Sequence, residues 1–330
     1  MRGRRSRWFQ TALGGVISLA LIAWLVVSIE WAKVWHDLLR VHYLIFIPVT
    51  LLILIQFVVR ALRWRYLLPG ERPVGLATLF DGIMLANFGN YFLPLRAGEF
   101  MRPLLVMRET KASFSSCFVS VVVERFFDLA TVLISFAVIL SFLPDLPPVV
   151  YQGAGLLSVL ALGLLAFIVL GVFVPGRLLA TVDLALRLLP AAWRSKLRRF
   201  IEDFLSGTAV FSQRGRFFAV VALTLIVWLL TFLQYYLALF MFPGSFSFLF
   251  GVTIAVVLAL GVAAPSAPGF IGVFQFACVI AFGLFGFEKE PAATYSILCH
   301  VHQYIIVTVF GLLVLVKYSL KIGDLLKRSE

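Results

Sequence analysis

Residues 87–128, NFGNYFLPLRAGEFMRPLLVMRETKASFSSCFVSVVVERFFD, set Arg96, Glu99, Arg102, Glu124, Arg125 and Asp128 among side chains that otherwise read as membrane-embedded. A charged residue at bilayer depth costs about 2.5–3.5 kcal/mol on insertion scales, so six facing lipid would cost on the order of 15 kcal/mol. They are therefore expected to face a protein interior or a wet cavity.

The rest of the chain supports that setting. It is 62% hydrophobic and 13% charged, with 33 Phe in 330 residues, a composition far more apolar than that of a water-soluble domain. The sequence therefore predicts an all-α polytopic membrane protein, one transmembrane domain over 1–330. A net charge of +12 raises nucleic acid as a partner in a soluble chain. Here it bears on which side of the membrane the basic residues occupy, and no nucleic-acid partner is expected. Cys117, Cys278 and Cys299 lie within apolar runs without metal-ligand spacing and read as small core residues.

Working outward, Arg2, Arg4, Arg5 and Arg7 precede a first span at about 8–28, placing the N-terminus in the cytoplasm. The mixed, Trp-bearing stretch 30–43 suits the outer interface. A second span at about 44–62 returns inward to Arg60, Arg63, Arg65 and Arg72. The segment 75–95 is apolar but interrupted by Asp81, Asn87, Gly89, Asn90 and Pro94, and basic clusters flank it on both sides. A hairpin that enters from and returns to the cytoplasm satisfies the positive-inside pattern there. A long span follows at 113–143, with Glu124 and Asp128 near mid-depth, and then a fourth at about 149–174. Residues 175–216 hold eight basic residues against three acids and read as a cytoplasmic amphipathic segment that contacts anionic lipid headgroups.

After a fifth span at about 217–242, the apolar stretch to Ala264 breaks at PSAPG and resumes from Phe270 to Phe287. This suggests a second hairpin, entered from the outer side. A final span at about 292–318 leaves the C-terminus inside. The expected count is six spans plus two re-entrant hairpins of opposite orientation, the sequence mark of an inverted repeat with a site between its halves. Full crossing by both hairpins would keep the same parity.

Each charged group has two readings. Glu124 and Asp128 share a helical face and Arg125 is turned about 100° away, which favours a carboxylate on another helix such as Glu99 as its partner. The carboxylates either carry protons or grip a cation, or they belong to an ion-pair network that locks helices together. In LPLRAGEFMR, Pro94 and Gly98 allow a broken backbone and Arg96 and Arg102 suit phosphate, with Asn90 beside them; Arg102 and Glu99 can also neutralise one another. Arg60 and Arg63 read as inner-surface residues that fix topology and touch lipid. Around Pro265, Pro268, Gly269 and Gly272 the backbone offers a hinge and amides for an anion, or a close helix approach, with Gln275 as a polar contact. His300 and His302 read as ordinary interior hydrogen-bonding residues. No nucleotide-binding loop, HExxH, GxSxG or DxD-like metal pair is present, and no catalytic residue, metal or cofactor is assigned.

Four motifs in this order resemble the membrane-domain family named after lysylphosphatidylglycerol synthase, also called flippase-like membrane proteins. They are R-x-x-R-W at 60–64, N-x-x-x-P-x-R-x-G-E-x-x-R at 90–102, E-R-x-x-D at 124–128 and P-S-x-P-G-x-x-G at 265–272. The resemblance implies a multi-pass protein of a bacterial or archaeal cytoplasmic membrane that moves or handles a polar lipid. In full-length synthases this type of domain translocates an aminoacylated phospholipid made by a separate soluble domain. The chain ends soon after its last span, so lysyl transfer is not expected of it. The expected function is a flippase for an anionic phospholipid, aminoacyl-phospholipid, glycolipid or isoprenoid lipid. The alternatives are a membrane-embedded lipid-modifying transferase and a non-catalytic partner of an envelope-lipid synthase.

Overall fold

The computed structural model describes residues 2–68, 74–93, 96–109, 114–142, 174–186, 214–263 and 266–319, with short pieces between 159 and 202. Regular structure among these residues is helical throughout. In chain order the helices are α1 (Arg2–Ser28), α2 (Trp31–Leu38), α3 (Phe46–Leu67), α4 (Leu76–Phe92), α5 (Gly98–Glu109), α6 (Phe114–Phe142), α7 (Pro175–Leu186), α8 (Arg214–Leu239), α9 (Phe248–Ala263), α10 (Val273–Gly283) and α11 (Lys289–Lys317). The protein is an all-α polytopic membrane protein. Among the described residues four stretches are long and apolar enough to cross a bilayer: Tyr43–Leu67, Cys117–Phe142, Arg214–Leu239 and Lys289–Lys317. A fifth, Gly14–Ser28, qualifies together with α2, to which it is joined at a bend of 88°. The expected fourth span, 149–174, falls largely outside the described residues.

The shorter helices behave differently. At 1.5 Å per residue, α10 with 11 residues and α5 with 12 reach only about 16–18 Å, well short of ~30 Å of hydrocarbon. Neither is long enough to cross by itself. Pro103 lies inside α5, where it cannot donate the usual hydrogen bond to the carbonyl of Glu99.

The chain forms two compact units whose boundaries fall within α3, α4, α5 and α8. One contains residues 1–57, 80–102 and 228–330. Within it α9 packs on α10, α10 on α11, α11 on α2 and α1 on α10. Phe250 anchors one end of this packing against Phe282, Phe285 and Phe287, with ring centroids 4.4–5.2 Å apart. The arms of the first hairpin, α4 and α5, come together where Gly98 crosses the backbone of Ala86 and Asn90. A Cβ at Gly98 would overlap both, so only glycine allows that crossing. Lys317 and Tyr318 donate to Asp81 of α4, fixing the end of α11.

The other unit contains residues 58–79 and 103–227. Here the sequence expectation needs correction: α3 does not stop at Leu62 but continues to Leu67, carrying Arg63 and Trp64 into the interior rather than to the surface. The segment expected to be amphipathic contributes α7, and Arg198 sits between Asp183 at 3.6 Å and Glu202 at 3.0 Å.

Candidate functional site

The residues singled out in the sequence fall into two sets, one in each unit. In the second unit, Arg63 of α3 is wholly buried with Glu124 of α6. Its Nη1 donates to Asp128 Oδ1 at 2.6 Å and its Nη2 to Asp128 Oδ2 at 3.2 Å, a bidentate pair. Nη2 also lies 3.0 Å from Glu124 Oε1, and Nη1 donates to Thr224 Oγ1 of α8 at 3.2 Å. One guanidinium thus joins three helices. The i, i+4 spacing of Glu124 and Asp128 puts both carboxylates on the face that meets it. Next to Arg63, Trp64 donates from Nε1 to Ser120 Oγ at 2.8 Å, a second tie between α3 and α6.

Two expectations are corrected here. Arg63 is not an inner-surface lipid contact, because the two carboxylates compensate its charge inside the protein. The 100° offset also does not keep Arg125 from its own helix: the long side chain reaches Asp128 at 3.3 Å and Glu124 at 3.5 Å. Among the described residues the cluster brings together two arginines and two carboxylates, and Arg125 is 43% exposed.

In the first unit the two broken segments meet. Arg96, at the bend before α5, holds its guanidinium 5.5 Å from the ring centre of Phe270, in the turn before α10. Both have left-handed backbones, φ 53° and 62°, costly conformations for residues with a Cβ. Tyr91 packs edge-on against Phe270 at 5.9 Å and Tyr304 at 4.4 Å. Gly269, at φ 71°, lies against the Tyr304 hydroxyl and the carbonyl of Tyr91, leaving no room for a Cβ. Behind this contact Asn90 donates to Glu99 Oε1 at 3.3 Å, and Glu99 Oε2 lies 3.7 Å from Nη2 of the buried Arg102.

The turn at 268–272 is braced from α1. Ser18 Oγ accepts the Ala267 N–H at 2.9 Å, and Gly272 at φ 87° runs against the Ser18 carbonyl. Gln275 was expected to contact ligand, but its Oε1 caps α10 by accepting the Gly272 N–H at 2.9 Å, and its Nε2 faces His300 Nδ1 at 3.1 Å. These two bonds position the turn. Pro268 opens the turn and is exposed; Pro94 and Pro265 lie outside the described residues.

Sequence reasoning passed over Tyr91 and Tyr304 and gave His300 no place in a site. Tyr304 sits four residues after His300 on α11, so the helical repeat puts them on one face. Nothing in the sequence pairs that face with Tyr91. A concavity of about 420 Å3 elsewhere in this unit is lined by Lys33, His36, Asp37, Glu288 and Glu290. Lys33 is bonded there to Glu30, and Glu290 accepts the Glu30 N–H. Among the described residues no group of three or more His, Cys, Asp or Glu side chains is placed to hold a metal ion.

Buried ion pairs within long apolar helices, together with two short broken segments joined by a cation–aromatic contact, define a multi-pass membrane protein with polar sites inside its helical packing. The chain belongs to the family described as the lysylphosphatidylglycerol synthase TM region, which it matches over residues 11–311. That match begins upstream of the four motifs and takes in Ser18, which braces the second break. No curated protein and no solved structure matches the chain. Family membership relates it to lipid synthesis or flipping.

Proposed function

We propose that this protein is a flippase or transporter of a polar lipid in the cytoplasmic membrane of a bacterium or archaeon, with both termini cytoplasmic. The observation that carries this reading is the meeting of Arg96 and Phe270 across the two broken segments. Discontinuous helices that expose polar groups at membrane depth are how transporters build a substrate site without leaving backbone groups in lipid. The exposed Arg96 guanidinium presents donors suited to a phosphate, and Phe270, Tyr91 and Tyr304 give the glycerol and upper acyl region an apolar wall. Asn90, Glu99 and Arg102 form the polar backing of that wall. A phosphate-bearing lipid, either an anionic or aminoacyl phospholipid or a phosphorylated isoprenoid, fits this chemistry best.

Arg63, Glu124, Asp128 and Arg125 take a different role in this reading: they clamp α3, α6 and α8. We also propose that Arg60 and the basic stretch 175–216 bind anionic headgroups at the inner surface, and an envelope-lipid synthase is the partner that would supply substrate.

The test is headgroup translocation in liposomes containing the purified protein, read by chemical quenching of outer-leaflet label. Wild type is expected to speed exchange of a phosphate-bearing lipid at least about tenfold over protein-free vesicles. Arg96→Ala should remove most of that gain, since a charge-assisted hydrogen bond contributes roughly 1.5–3 kcal/mol. Unchanged leaflet distribution across anionic, zwitterionic, glycosylated and isoprenoid lipids would reject the proposal.

A further inference from the structure

At 1.5 Å per residue the apolar part of α1, residues 8–28, reaches about 31 Å, so α1 spans the hydrocarbon core without help from the helix that follows. α2 leaves α1 at a bend of 88°. With α1 across the membrane, the eight residues of α2 add almost no depth and run along the surface. The bend is held from both sides. Trp31 Nε1 donates to the carbonyl of Val26, in the last turn of α1, at 3.0 Å, and the Glu30 N–H donates to Glu290 Oε1 of α11 at 3.2 Å.

The sides of α2 differ in character. Val34, 2% exposed, is on the side that packs toward the protein, where α2 meets α11. Trp31, Trp35 and Leu39 are four apart, which sets them within about 80° of arc, and they are 41%, 65% and 70% exposed. Lys33, His36 and Asp37 lie roughly opposite that arc and line the charged concavity shared with Glu288 and Glu290. Exposed tryptophans on one arc and charged side chains on the other suit a helix lying at a membrane–water boundary. The apolar arc also continues a surface that belongs to the bilayer. Val27, just before the bend, is exposed, and so are Leu44 and Ile47 in the crossing stretch that follows α2.

We infer that Trp31, Trp35 and Leu39 form a membrane-interface anchor, set among the headgroups and upper acyl chains of the leaflet opposite the N-terminus, with Lys33, His36 and Asp37 on the water side. The anchor fixes the depth of a distant element. Ser18, which braces the second break, lies ten residues before the end of α1, so an anchored bend holds that break about 15 Å below the interface, near mid-membrane. This assignment stands whether or not the protein moves lipid.

The test uses the full chain with Cys117, Cys278 and Cys299 replaced by Ala and single spin-labelled cysteines introduced as Trp35→Cys, Leu39→Cys or His36→Cys, in phosphatidylcholine–phosphatidylglycerol vesicles. Collision rates are read with oxygen, which concentrates in the bilayer, and with a water-soluble nickel chelate. The oxygen-to-nickel ratio at 35 and 39 is expected to exceed that at 36 at least about threefold. Equal ratios would put the arc in water and overturn the inference. Shielding of 35 and 39 from both reagents would mean that protein, such as a second copy of the chain, covers the arc, and overturns it as well. If the cysteine-replaced chain does not fold, tryptophan emission decides. The sequence has seven Trp, so the difference between wild type and Trp31→Phe/Trp35→Phe isolates these two. Their emission should be quenched by bromine on the upper acyl chains and spared by aqueous iodide; quenching by iodide instead, or by neither, overturns the anchor.

Discussion

At the scale of single residues, the largest stake is Arg63. A buried guanidinium is tolerable because Glu124 and Asp128 offset its charge and Thr224 fills a further donor position. Removing it leaves two carboxylates in a setting with little water, so Arg63→Ala should lower stability by roughly 3–5 kcal/mol, read as a clear fall in the detergent unfolding midpoint. Arg63→Lys should recover only part, since an ammonium cannot make the bidentate pair with Asp128. Gly269 is the second sensitive position. An alanine there would carry a Cβ at φ 71° and collide with Tyr304, so Gly269→Ala should destabilise by at least ~1–2 kcal/mol from the backbone alone. Adding Tyr304→Ala should return the steric part of the loss but not the backbone part. The shared face of Glu124 and Asp128 is legible in their spacing. The partner of that face is not, because an arginine that ends a span at the surface and one that turns inward have the same local sequence.

At the scale of elements, the two breaks are held by different means. The first depends on a glycine crossing, where Gly98 lets α5 approach α4 at Ala86 and Asn90. The second depends on caps: Ser18 holds the Ala267 N–H and Gln275 holds that of Gly272. Gln275→Ala would leave that N–H and His300 Nδ1 unmatched, at a cost of about 1–3 kcal/mol. Gln275→Glu keeps the acceptor for Gly272 and should retain more of the stability, and unfolding midpoints of the two variants check the order. The breaks themselves are visible in the sequence as Pro, Gly and Asn within apolar runs. Their meeting is not, because it is made by Tyr91, Phe270 and Tyr304, whose apolar rings resemble the lipid-facing aromatics around them.

At the scale of the whole molecule, the long apolar helices and the distribution of arginine lead to a topology that can be checked directly. Cysteines introduced at Ser6 and Ser329 should resist a membrane-impermeant maleimide in intact cells and react once the membrane is opened. One at Gly244, in the turn between α8 and α9, should react from outside. Cys117, Cys278 and Cys299 are buried and should give little background. Labelling at Ser6 in intact cells would overturn the proposed orientation.

Composition and patterning mark the chain as a helical membrane protein with two interrupted segments and with charges inside apolar runs. Those properties follow from hydropathy, from proline and glycine chemistry and from the energetic cost of charge in hydrocarbon, all of which act locally along the chain. The tertiary structure alone decided which charges are joined. It gave the E-R-x-x-D carboxylates to Arg63, turned Gln275 into a cap, and set Arg96, Phe270, Tyr91 and His300 in one group. The reason is physical: a charge in an apolar helix must find compensation somewhere, but its spacing along the chain sets only the face it occupies, and the partner depends on which distant helix the packing brings to that face.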